Sequence, residues 1–599
     1  MRIVIDLQGA QTASRFRGIG RYTMALTRGI VRHAAHHEVW LVLNGALEES
    51  VLELRRTFAG LVPPERIRVF EPPGRVAERD PHARARARAA EILREHFIAL
   101  LAPDVVLVTS LFEGYVDDAV GSVGRFVDGA RSAVILYDLI PLLNADTYLS
   151  TPVLQQFYMR KIDSLRRAGM LLAISDYARE EAIQALGLAP QAIQAISTAV
   201  DETFTPTLLD PDALESIRRR FGVTRAMVMC APGGYDPRKN IFGLVKAFGL
   251  LPPPIRASHQ LLIASRLSPV ERAELEAHAV RCKLDPADLV LTGYVSDADL
   301  IGLYQAAALF VFPSLHEGFG LPVLEAMACG APAIGSNSTS IPEVIGLEEA
   351  MFDPHDPQAI ADKIAAVLSD PALHARLRAH GPLQAEKFSW DHTARRALRA
   401  LEALAASQPA PAAPSYEALL DALAAVPDLA HDDITTLYLA TCLAGMPDLA
   451  AQPRVYIDVG ACGASILKTL SAWQSTNPHM SFEPLMLSNA GGVWHYRYAD
   501  SETAYALGLR QSSHTKCVAS LRFGDLLITC SNSPTTSTAH QSGLYTHLYR
   551  SGINMIFSVD RKRDIPVGPD NILDLAHQLI ETEKDLRIVL DNCFGCNKI

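Results

Sequence analysis

Short apolar runs alternate with amphipathic stretches along about the first two thirds of the 599-residue chain. Runs of roughly four to eight apolar residues are typical of strands buried on both faces of a parallel sheet. Within residues 1–200 they predict strands over 2–7, 38–43, 104–109, 133–137 and 170–174. Because helical patterns separate these runs, the sequence predicts a doubly wound α/β lobe over 1–200.

The same alternation starts again near residue 200 and predicts a second lobe over 201–404. Its strands are expected at 227–230, 259–264, 289–291, 309–312 and 333–334. Helical patterns over 357–405 are expected to complete this lobe and to be able to cross back to the first. Two Rossmann-like lobes of this kind hold a ligand in the cleft between them, beyond the carboxyl ends of the strands.

The remainder of the chain predicts a third, partial α/β domain over 416–599. A Pro/Ala linker at 405–415 separates it from the second lobe, and a helical segment is expected from 416 to about 449. Beyond that segment, 454–461 echoes 2–10, and 552–557 with the following Asp564-Ile565-Pro566 echoes 130–141. The domain is therefore predicted to be a degenerate copy of the first lobe, with chance similarity between two parallel sheets as the alternative.

Composition limits the kinds of partner that the chain is expected to have. An apolar content of 49% and a charged content of 20% are typical of a folded protein. With a net charge of −11 and a pI near 6.0, the chain has no general basic field, so we do not expect nucleic acid as a partner. No apolar stretch approaches the ~20 residues that span a bilayer, and the start has no signal-peptide pattern. The expected location is the cytoplasm, with at most peripheral contact at the inner face of the cell membrane.

Cysteine and arginine patterns add little chemistry. The nine cysteines have no framework spacing, which fits a reducing compartment. Cys593 and Cys596 form a single C-x-x-C, and without a second pair we expect no metal site there. Arg84, Arg86 and Arg88 either meet an anionic lipid acceptor or, as we favour, lie on a solvated helix.

The richest chemistry lies at 316–325, His-Glu-Gly-Phe-Gly-Leu-Pro-Val-Leu-Glu. Glu317 and Glu325 stand eight positions apart around a glycine turn that follows a buried strand and opens a helix. The first N–H groups of a helix are unpaired and its dipole is positive there, so the turn predicts an anion site. Two acids beside it suit a ligand that has a diphosphate between two sets of sugar hydroxyls. Ordinary α/β packing is the alternative.

This string resembles the E-x7-E signature of retaining GT-B glycosyltransferases of family 4, the glycosyl transferases group 1, which include bacterial mannosyltransferases. The resemblance implies that Glu317 bonds hydroxyls of the donor sugar and that Glu325 bonds the nucleotide ribose. The resemblance also implies that backbone amides hold the diphosphate, namely those around Gly318, Phe319, Gly320 and Leu321.

A second motif, Ala231 to Asn240, brings two cations to the start of a helix. Arg238 and Lys239 can neutralise a diphosphate leaving group, whose growing charge must be stabilised as the glycosidic bond breaks. The motif resembles the basic motif of the same family, in which Lys239 matches the phosphate-binding lysine. Gly234 stands five positions before Lys239, where the family often has an arginine, and Arg238 is the expected substitute.

The first lobe contributes three further candidate segments. Gly18 and Gly20 permit close backbone approach, and they resemble the G-G-x-G-R-Y loop that faces the donor diphosphate and the acceptor. Tyr137 stands where many relatives have a catalytic-site histidine. Asp138 either orients an acceptor hydroxyl or caps the following turn. Ser175 matches the family's S-x-Y-S/A segment or, equally well, is a helix N-cap.

The resemblance implies transfer of a hexose, with mannose from GDP-mannose as the first expectation, to a surface polysaccharide such as a lipopolysaccharide O-antigen or to a lipid-linked acceptor. It implies front-face attack with retention, in which Glu317 positions the donor. Neither a metal nor another cofactor is expected. A GT-B sugar epimerase or phosphorylase is the alternative for the lobes. For the 416–599 domain, the alternative is a non-catalytic docking module for other polysaccharide-synthesis enzymes.

Overall fold

The computed structural model describes residues 1–206, 210–409 and 414–447 without further gaps. Beyond them it describes residues 449, 455–458, 460, 482–490, 493–499, 519, 521, 526–530, 548, 553–558 and 578–580. Residues 410–413 of the predicted linker lie outside these ranges, as do Asp564-Ile565-Pro566 and the Cys593/Cys596 pair.

The first lobe is built on a seven-stranded parallel sheet in the order β3-β2-β1-β4-β5-β6-β7. Its strands are β1 (Arg2–Asp6), β2 (Glu38–Asn44), β3 (Ile67–Phe70), β4 (Val105–Val108), β5 (Ser132–Leu136), β6 (Met170–Ala173) and β7 (Ile193–Ala195). Its helices are α1 (Gly18–His33), α2 (Glu48–Thr57), α3 (Arg84–Leu100), α4 (Ile140–Leu143), α5 (Ala145–Tyr148), α6 (Pro152–Arg167) and α7 (Asp176–Leu186).

The second lobe repeats the plan with a six-stranded parallel sheet in the order β10-β9-β8-β11-β12-β13. Its strands are β8 (Ala226–Cys230), β9 (His259–Ile263), β10 (Leu289–Leu291), β11 (Leu309–Phe312), β12 (Ala333–Ser336) and β13 (Met351–Phe352). Its helices are α8 (Pro211–Arg220), α9 (Ile241–Leu250), α10 (Pro253–Ser258), α11 (Pro269–Arg281), α12 (Asp297–Ala306), α13 (Leu321–Ala328), α14 (Ile341–Ile345), α15 (Pro357–Ser369), α16 (Pro371–Ala385) and α17 (Trp390–Ala406).

All ten predicted strands of the two lobes are confirmed within a few residues, and the expected α/β fold of two doubly wound lobes is the observed one. Strands β3, β7 and β13 were not predicted. All three are edge strands, and they are too short or too polar to give an apolar run: β3 contains Arg68, β7 contains Gln194, and β13 has two residues.

Helix α17 returns from the second lobe and packs on α1 of the first. Gly29 on α1 makes this approach possible, because a Cβ there would lie 2.8 Å from the Cβ of Ala394 on α17. The rings of Tyr22 and Trp390 meet edge to face beside this contact, with centroids 5.2 Å apart. The predicted crossing back to the first lobe is therefore confirmed, and it fixes one side of the cleft.

The helical segment expected from 416 to about 449 is two helices, α18 (Tyr416–Ala424) and α19 (Asp433–Ala444). Both pack on the first lobe. Leu419 and Leu423 of α18 and Cys442 of α19 lie in the same apolar cluster as Phe97 of α3. The thiol of Cys442 also donates to the carbonyl oxygen of Glu71 at 3.0 Å. By packing, these two helices belong to the first lobe.

The third sheet has the strand order β16-β15-β14-β17-β18-β19, which reproduces β3-β2-β1-β4-β5-β6 of the first lobe. Its strands are β14 (Val455–Asp458), β15 (Phe482–Ala490), β16 (Val493–Tyr498), β17 (Leu526–Cys530), β18 (Asn554–Ser558) and β19 (Gln578–Ile580). Asp458 ends β14 as Asp6 ends β1, and both are buried. One difference is that β15 and β16 pair antiparallel. The shared order supports the predicted repeat.

Candidate active site

The site is centred on the donor turn, which we define as residues 316–320 between β11 and α13. Gly320 has φ +106° and precedes the first helical residue, Leu321, so a side chain there would be strained. Gly318 has no room for one either, because a Cβ would lie 2.3 Å from the carbonyl oxygen of Tyr137 in the first lobe. The two glycines let the chain turn sharply into α13 while it lies against the opposite lobe.

Serine hydroxyls hold three successive carbonyl groups of the donor turn. Ser340 donates to the oxygens of Glu317 and Phe319 at 3.0 and 2.8 Å, and Ser175 donates to that of Gly318 at 2.6 Å. Within the described part of the chain, the N–H groups of Gly318, Phe319 and Gly320 donate no hydrogen bond to the protein. These N–H groups and the positive end of α13 lie at one place, where the sequence predicts an anion site, and the site itself stays a prediction.

Glu317 is held by the two predicted cations. Lys239 Nζ donates to Glu317 Oε1 and Arg238 Nη1 to Glu317 Oε2, each at 2.7 Å. Glu317 and Lys239 are only 6% and 8% exposed. Burial by itself would raise the pKa of Glu317, but the charges of Lys239 and Arg238 outweigh it and lower that pKa below its usual value. Glu317 is therefore an ionised carboxylate with both oxygens engaged.

The local fold explains why both cations reach this carboxylate. Arg238 and Lys239 lie in a short 3-10 turn between β8 and α9, whose first N–H group is capped by Asp236. Asn240 follows in the left-handed region at φ 53° and donates to the carbonyl oxygen of Pro313, so that the turn is tied to the segment after β11. Gly234, in the same loop, has φ +155° and open space where a Cβ would stand.

Glu325 lies on α13 in a different electrostatic environment. Tyr304 donates to Glu325 Oε2 at 3.0 Å, and Arg21 of the first lobe lies 4.0 Å from Oε1. Burial raises the pKa of Glu325, and the bond from Tyr304 and the charge of Arg21 offset this only in part. The two acids thus differ: Glu317 is held charged between cations, whereas Glu325 is harder to ionise.

Gly18 and Gly20 lie in the first turn of α1 and have different roles. Gly18 faces the second lobe, because a Cβ there would have Leu321 at the start of α13 as its nearest neighbour, at 3.9 Å. A Cβ at Gly20 would instead lie 2.3 Å from the Cα of Arg15, in the 3-10 turn that precedes α1. The turn alone therefore requires Gly20, while Gly18 lies at the cleft.

Tyr137 reaches the site through its backbone. Its hydroxyl donates to the carbonyl oxygen of Thr109 at 3.0 Å and its ring meets that of Tyr22, both inside the first lobe. Burial raises the pKa of Tyr137, so its hydroxyl stays protonated and is a weak acid. The carbonyl oxygen of Tyr137 is the part that faces Gly318. The candidate catalytic tyrosine thus acts here as a packing residue.

Asp138 has one of the two roles that the sequence leaves open, the turn cap, and the orientation of an acceptor hydroxyl stays a prediction. Its Oδ1 accepts from the N–H of Ile140 at 3.0 Å and so caps the following turn. Burial raises the pKa of Asp138, with Arg238 lowering it and Glu317 raising it. Arg238 and Glu317 pair with each other, so Asp138 lies within the electrostatic reach of this pair while it caps the turn.

Several contacts across the cleft carry no signal in the sequence. Tyr148 of the first lobe donates to Asp236 at 2.6 Å, Arg21 pairs with Asp297 at 2.7 Å, and Glu181 bonds His316 at 2.7 Å. Each contact joins residues that are far apart in the chain, so local sequence spacing does not predict it.

Within the described residues, no group of three or more His, Cys, Asp or Glu side chains could hold a metal ion. No helix among these residues is long and apolar enough to cross a bilayer.

Comparison with known proteins defines the class of the second lobe. Residues 215–384 match the family Glycosyl transferases group 1. The chain therefore contains a glycosyl transferases group 1 domain, and this domain includes both the Arg238/Lys239 turn and the donor turn.

The chain is homologous to the serotype-specific mannosyltransferase WbdA of Escherichia coli, with 38% identity over 399 residues, 66% of this chain and 47% of the relative. It is 34% identical over 257 residues to the O-antigen chain mannosyltransferase B of Escherichia coli, 41% of this chain and 64% of that protein. The chain thus spans about half the length of the WbdA relatives. Among solved structures, Anabaena HepE in complex with UDP and glucose has a TM-score of 0.49 at 18% identity, over 67% of this chain and all of that one.

Proposed function

We propose that this chain is a retaining family 4 glycosyltransferase that moves a hexose, mannose in the first instance, from a nucleotide sugar to a growing surface polysaccharide or a lipid-linked acceptor. The observation that carries the proposal is the pairing of Glu317 with Lys239 and Arg238 beside the free N–H groups of the donor turn. Similarity to the mannosyltransferase WbdA supports mannose, and similarity to the O-antigen chain mannosyltransferase B supports an O-antigen acceptor. No relative named above is an epimerase or a phosphorylase, so these alternatives gain no support.

In the proposed complex the diphosphate lies between the two acids. Glu325 accepts hydrogen bonds from the ribose, with Tyr304 fixing its orientation, and Glu317 accepts them from hydroxyls of the donor sugar. Because Lys239 and Arg238 lie beside Glu317, they reach the phosphate next to the sugar. GDP-mannose is the proposed donor.

In the proposed reaction, the bond from the anomeric carbon to the phosphate oxygen breaks while the acceptor oxygen bonds the same face of that carbon. The acceptor proton passes to the departing phosphate oxygen. Lys239, Arg238 and the N-terminus of α13 stabilise the charge that grows on the phosphate. Glu317 is unsuited to act as the nucleophile, because cations engage both of its oxygens.

A transfer assay tests this proposal. Purified full-length chain is incubated with α-mannoside acceptors and with GDP-mannose, UDP-glucose, ADP-glucose or dTDP-glucose, and the product is analysed by NMR. We expect transfer from GDP-mannose alone, with an α-linkage that preserves the donor configuration. Transfer with a β-linkage would contradict retention. Hydrolysis or epimerisation of the donor without transfer to any acceptor would contradict the glycosyltransferase assignment itself.

The proposed role of the third sheet is non-catalytic. It repeats the strand order of the first lobe, but the sequence after residue 416 has no second E-x7-E string and no glycine loop like that at Gly18. We propose that it serves as a docking module for other enzymes of polysaccharide synthesis. The proposed setting is the cytoplasm, with at most peripheral contact at the inner face of the cell membrane.

A further inference from the structure

The first turn of α7, in the first lobe, lies directly against the donor turn of the second lobe. The hydroxyl of Ser175 donates to the carbonyl oxygen of Gly318 at 2.6 Å. Glu181, two turns along the same helix, bonds the ring of His316 at 2.7 Å. The second lobe reaches back as well, because the carboxylate of Glu343 accepts from the N–H groups of Asp176 and Tyr177 at 3.3 and 3.0 Å.

Ser175 has two partners, and each uses a different part of its hydroxyl group. A lone pair accepts the N–H of Ala178 at 2.8 Å, which caps α7, and the single proton goes to Gly318. The residue is 1% exposed, so neither partner is replaced by solvent. One side chain thus caps α7 and also contacts the donor turn.

The bond from Ser175 controls the direction of an N–H group in the anion site. The carbonyl of Gly318 and the N–H of Phe319 belong to one planar trans peptide and point in opposite directions. Gly318 has no Cβ to limit rotation of this peptide. Ser340, in the second lobe, donates to the carbonyl oxygens of Glu317 and Phe319, which flank Gly318. The bond to the Gly318 carbonyl oxygen comes instead from Ser175, in the first lobe.

We infer that Ser175 is a positioning residue for the donor site, which fixes the Phe319 N–H toward the distal phosphate of a nucleoside diphosphate. The ligand in this inference rests on the proposed function. The consequence is that the anion site of the second lobe is complete only while α7 of the first lobe lies against it. The Glu181–His316 and Glu343–α7 contacts keep the two surfaces together.

Calorimetric titration of the full chain with GDP and with GMP tests this role. In Ser175→Ala we expect GDP to bind ~10-fold more weakly, about the effect of one lost hydrogen bond, and GMP to change less than ~3-fold because it lacks the distal phosphate. Ser175→Thr keeps the hydroxyl and should restore GDP binding. Ser415→Ala is the matched control, because Ser415 caps α18 and faces no part of the cleft; it should bind both nucleotides as wild type does.

If Ser175→Ala does not fold, Ser175→Gly replaces it, since glycine is a well-tolerated helix N-cap. Unchanged GDP affinity in a folded variant would overturn the role of Ser175 and leave the proposed function intact. An equal loss for GDP and GMP would also overturn it, because it would show general damage to the lobe. Wild-type protein that binds none of GDP, UDP, ADP and dTDP would contradict the proposed function and the inference together.

Discussion

Lys239 Nζ lies 2.7 Å from Glu317 Oε1, and both side chains are almost completely excluded from solvent. A buried ion pair of this kind adds little stability by itself, because desolvation of the two charges offsets their attraction. Its value here is chemical. The ion pair fixes Lys239 against Glu317 of the donor turn, where a phosphate oxygen of the proposed donor would need it.

Lys239→Ala should therefore reduce transfer while the protein stays folded. Loss of one charge that stabilises a leaving group is expected to lower kcat/KM about 10²–10³-fold. Arg238 still bonds the other oxygen of Glu317, so the carboxylate is not left without a counter-charge. The measurement is steady-state transfer from GDP-mannose together with a thermal melt.

Lys246→Ala is the control for this variant, because Lys246 is an exposed lysine on α9, the helix that follows the turn. It should transfer at the wild-type rate. Full activity in Lys239→Ala would remove this lysine from the proposed donor site.

The two acids should respond to pH with opposite signs. The pKa of Glu317 is lowered in the folded protein, so its stabilising contribution is complete above its usual pKa of 4.5 and is lost as the pH falls through the folded value. The pKa of Glu325 is raised, so stability is lost as the pH rises from 4.5 through its folded value.

Thermal melts of Glu317→Gln and Glu325→Gln across pH check these signs. Relative to wild type, Glu317→Gln should melt lower at neutral pH, and the difference should shrink in acid. Glu325→Gln should gain on wild type as the pH rises toward neutrality. Parallel curves for the two variants would show that both acids lie in equivalent environments, contrary to the geometry.

The sequence predicts the central strands and the chemistry of the donor turn, because both depend on local pattern. Strand β11 is an uninterrupted apolar run. Glu317 lies in one ten-residue motif, 316–325, and Lys239 lies in another, 231–240. The contact of Ser175 with Gly318 joins residues 143 positions apart, and no periodicity registers it. The same holds for the direction of the Tyr137 hydroxyl, which depends on Thr109 and Tyr22 of its own lobe.

Gly318→Ala tests the contact between the lobes. The added methyl group would lie 2.3 Å from the carbonyl oxygen of Tyr137, a distance that real Cβ atoms do not adopt, so the lobes must separate there. We expect transfer to fall at least ~100-fold, because the Ser175 bond breaks and the anion site loses its geometry. The protein should still fold and melt cooperatively, because Gly318 lies outside the apolar cluster that the two lobes share. The assay is transfer from GDP-mannose with the melt as a check.

Gly187→Ala separates this effect from backbone strain. Gly187 ends α7 at φ +66° and has open space where the Cβ would stand. Its alanine variant should lose about 1 kcal/mol of stability and keep its transfer rate. If Gly318→Ala behaved like Gly187→Ala, the close approach of the donor turn to Tyr137 would not matter for the reaction.

Leu419→Ala tests whether α18 belongs to the first lobe. Leu419 is 0% exposed against the apolar cluster of α3, whereas the next residue, Leu420, is 44% exposed. Truncation of a buried leucine leaves a cavity, so Leu419→Ala should lower the free energy of unfolding by about 2–5 kcal/mol. Leu420→Ala should stay within ~0.5 kcal/mol of wild type. Urea unfolding followed by tryptophan fluorescence, to which Trp40 in the first-lobe sheet contributes with three other tryptophans, gives both values.

The same reasoning applies to truncated chains. A chain that ends at residue 409, before α18, should melt at a lower temperature than one that ends at 447, because its first lobe exposes the surface that Leu419, Leu423 and Cys442 cover. Equal melting of the two truncated chains, or equal effects of the two leucine variants, would place α18 and α19 outside the folding unit of the first lobe.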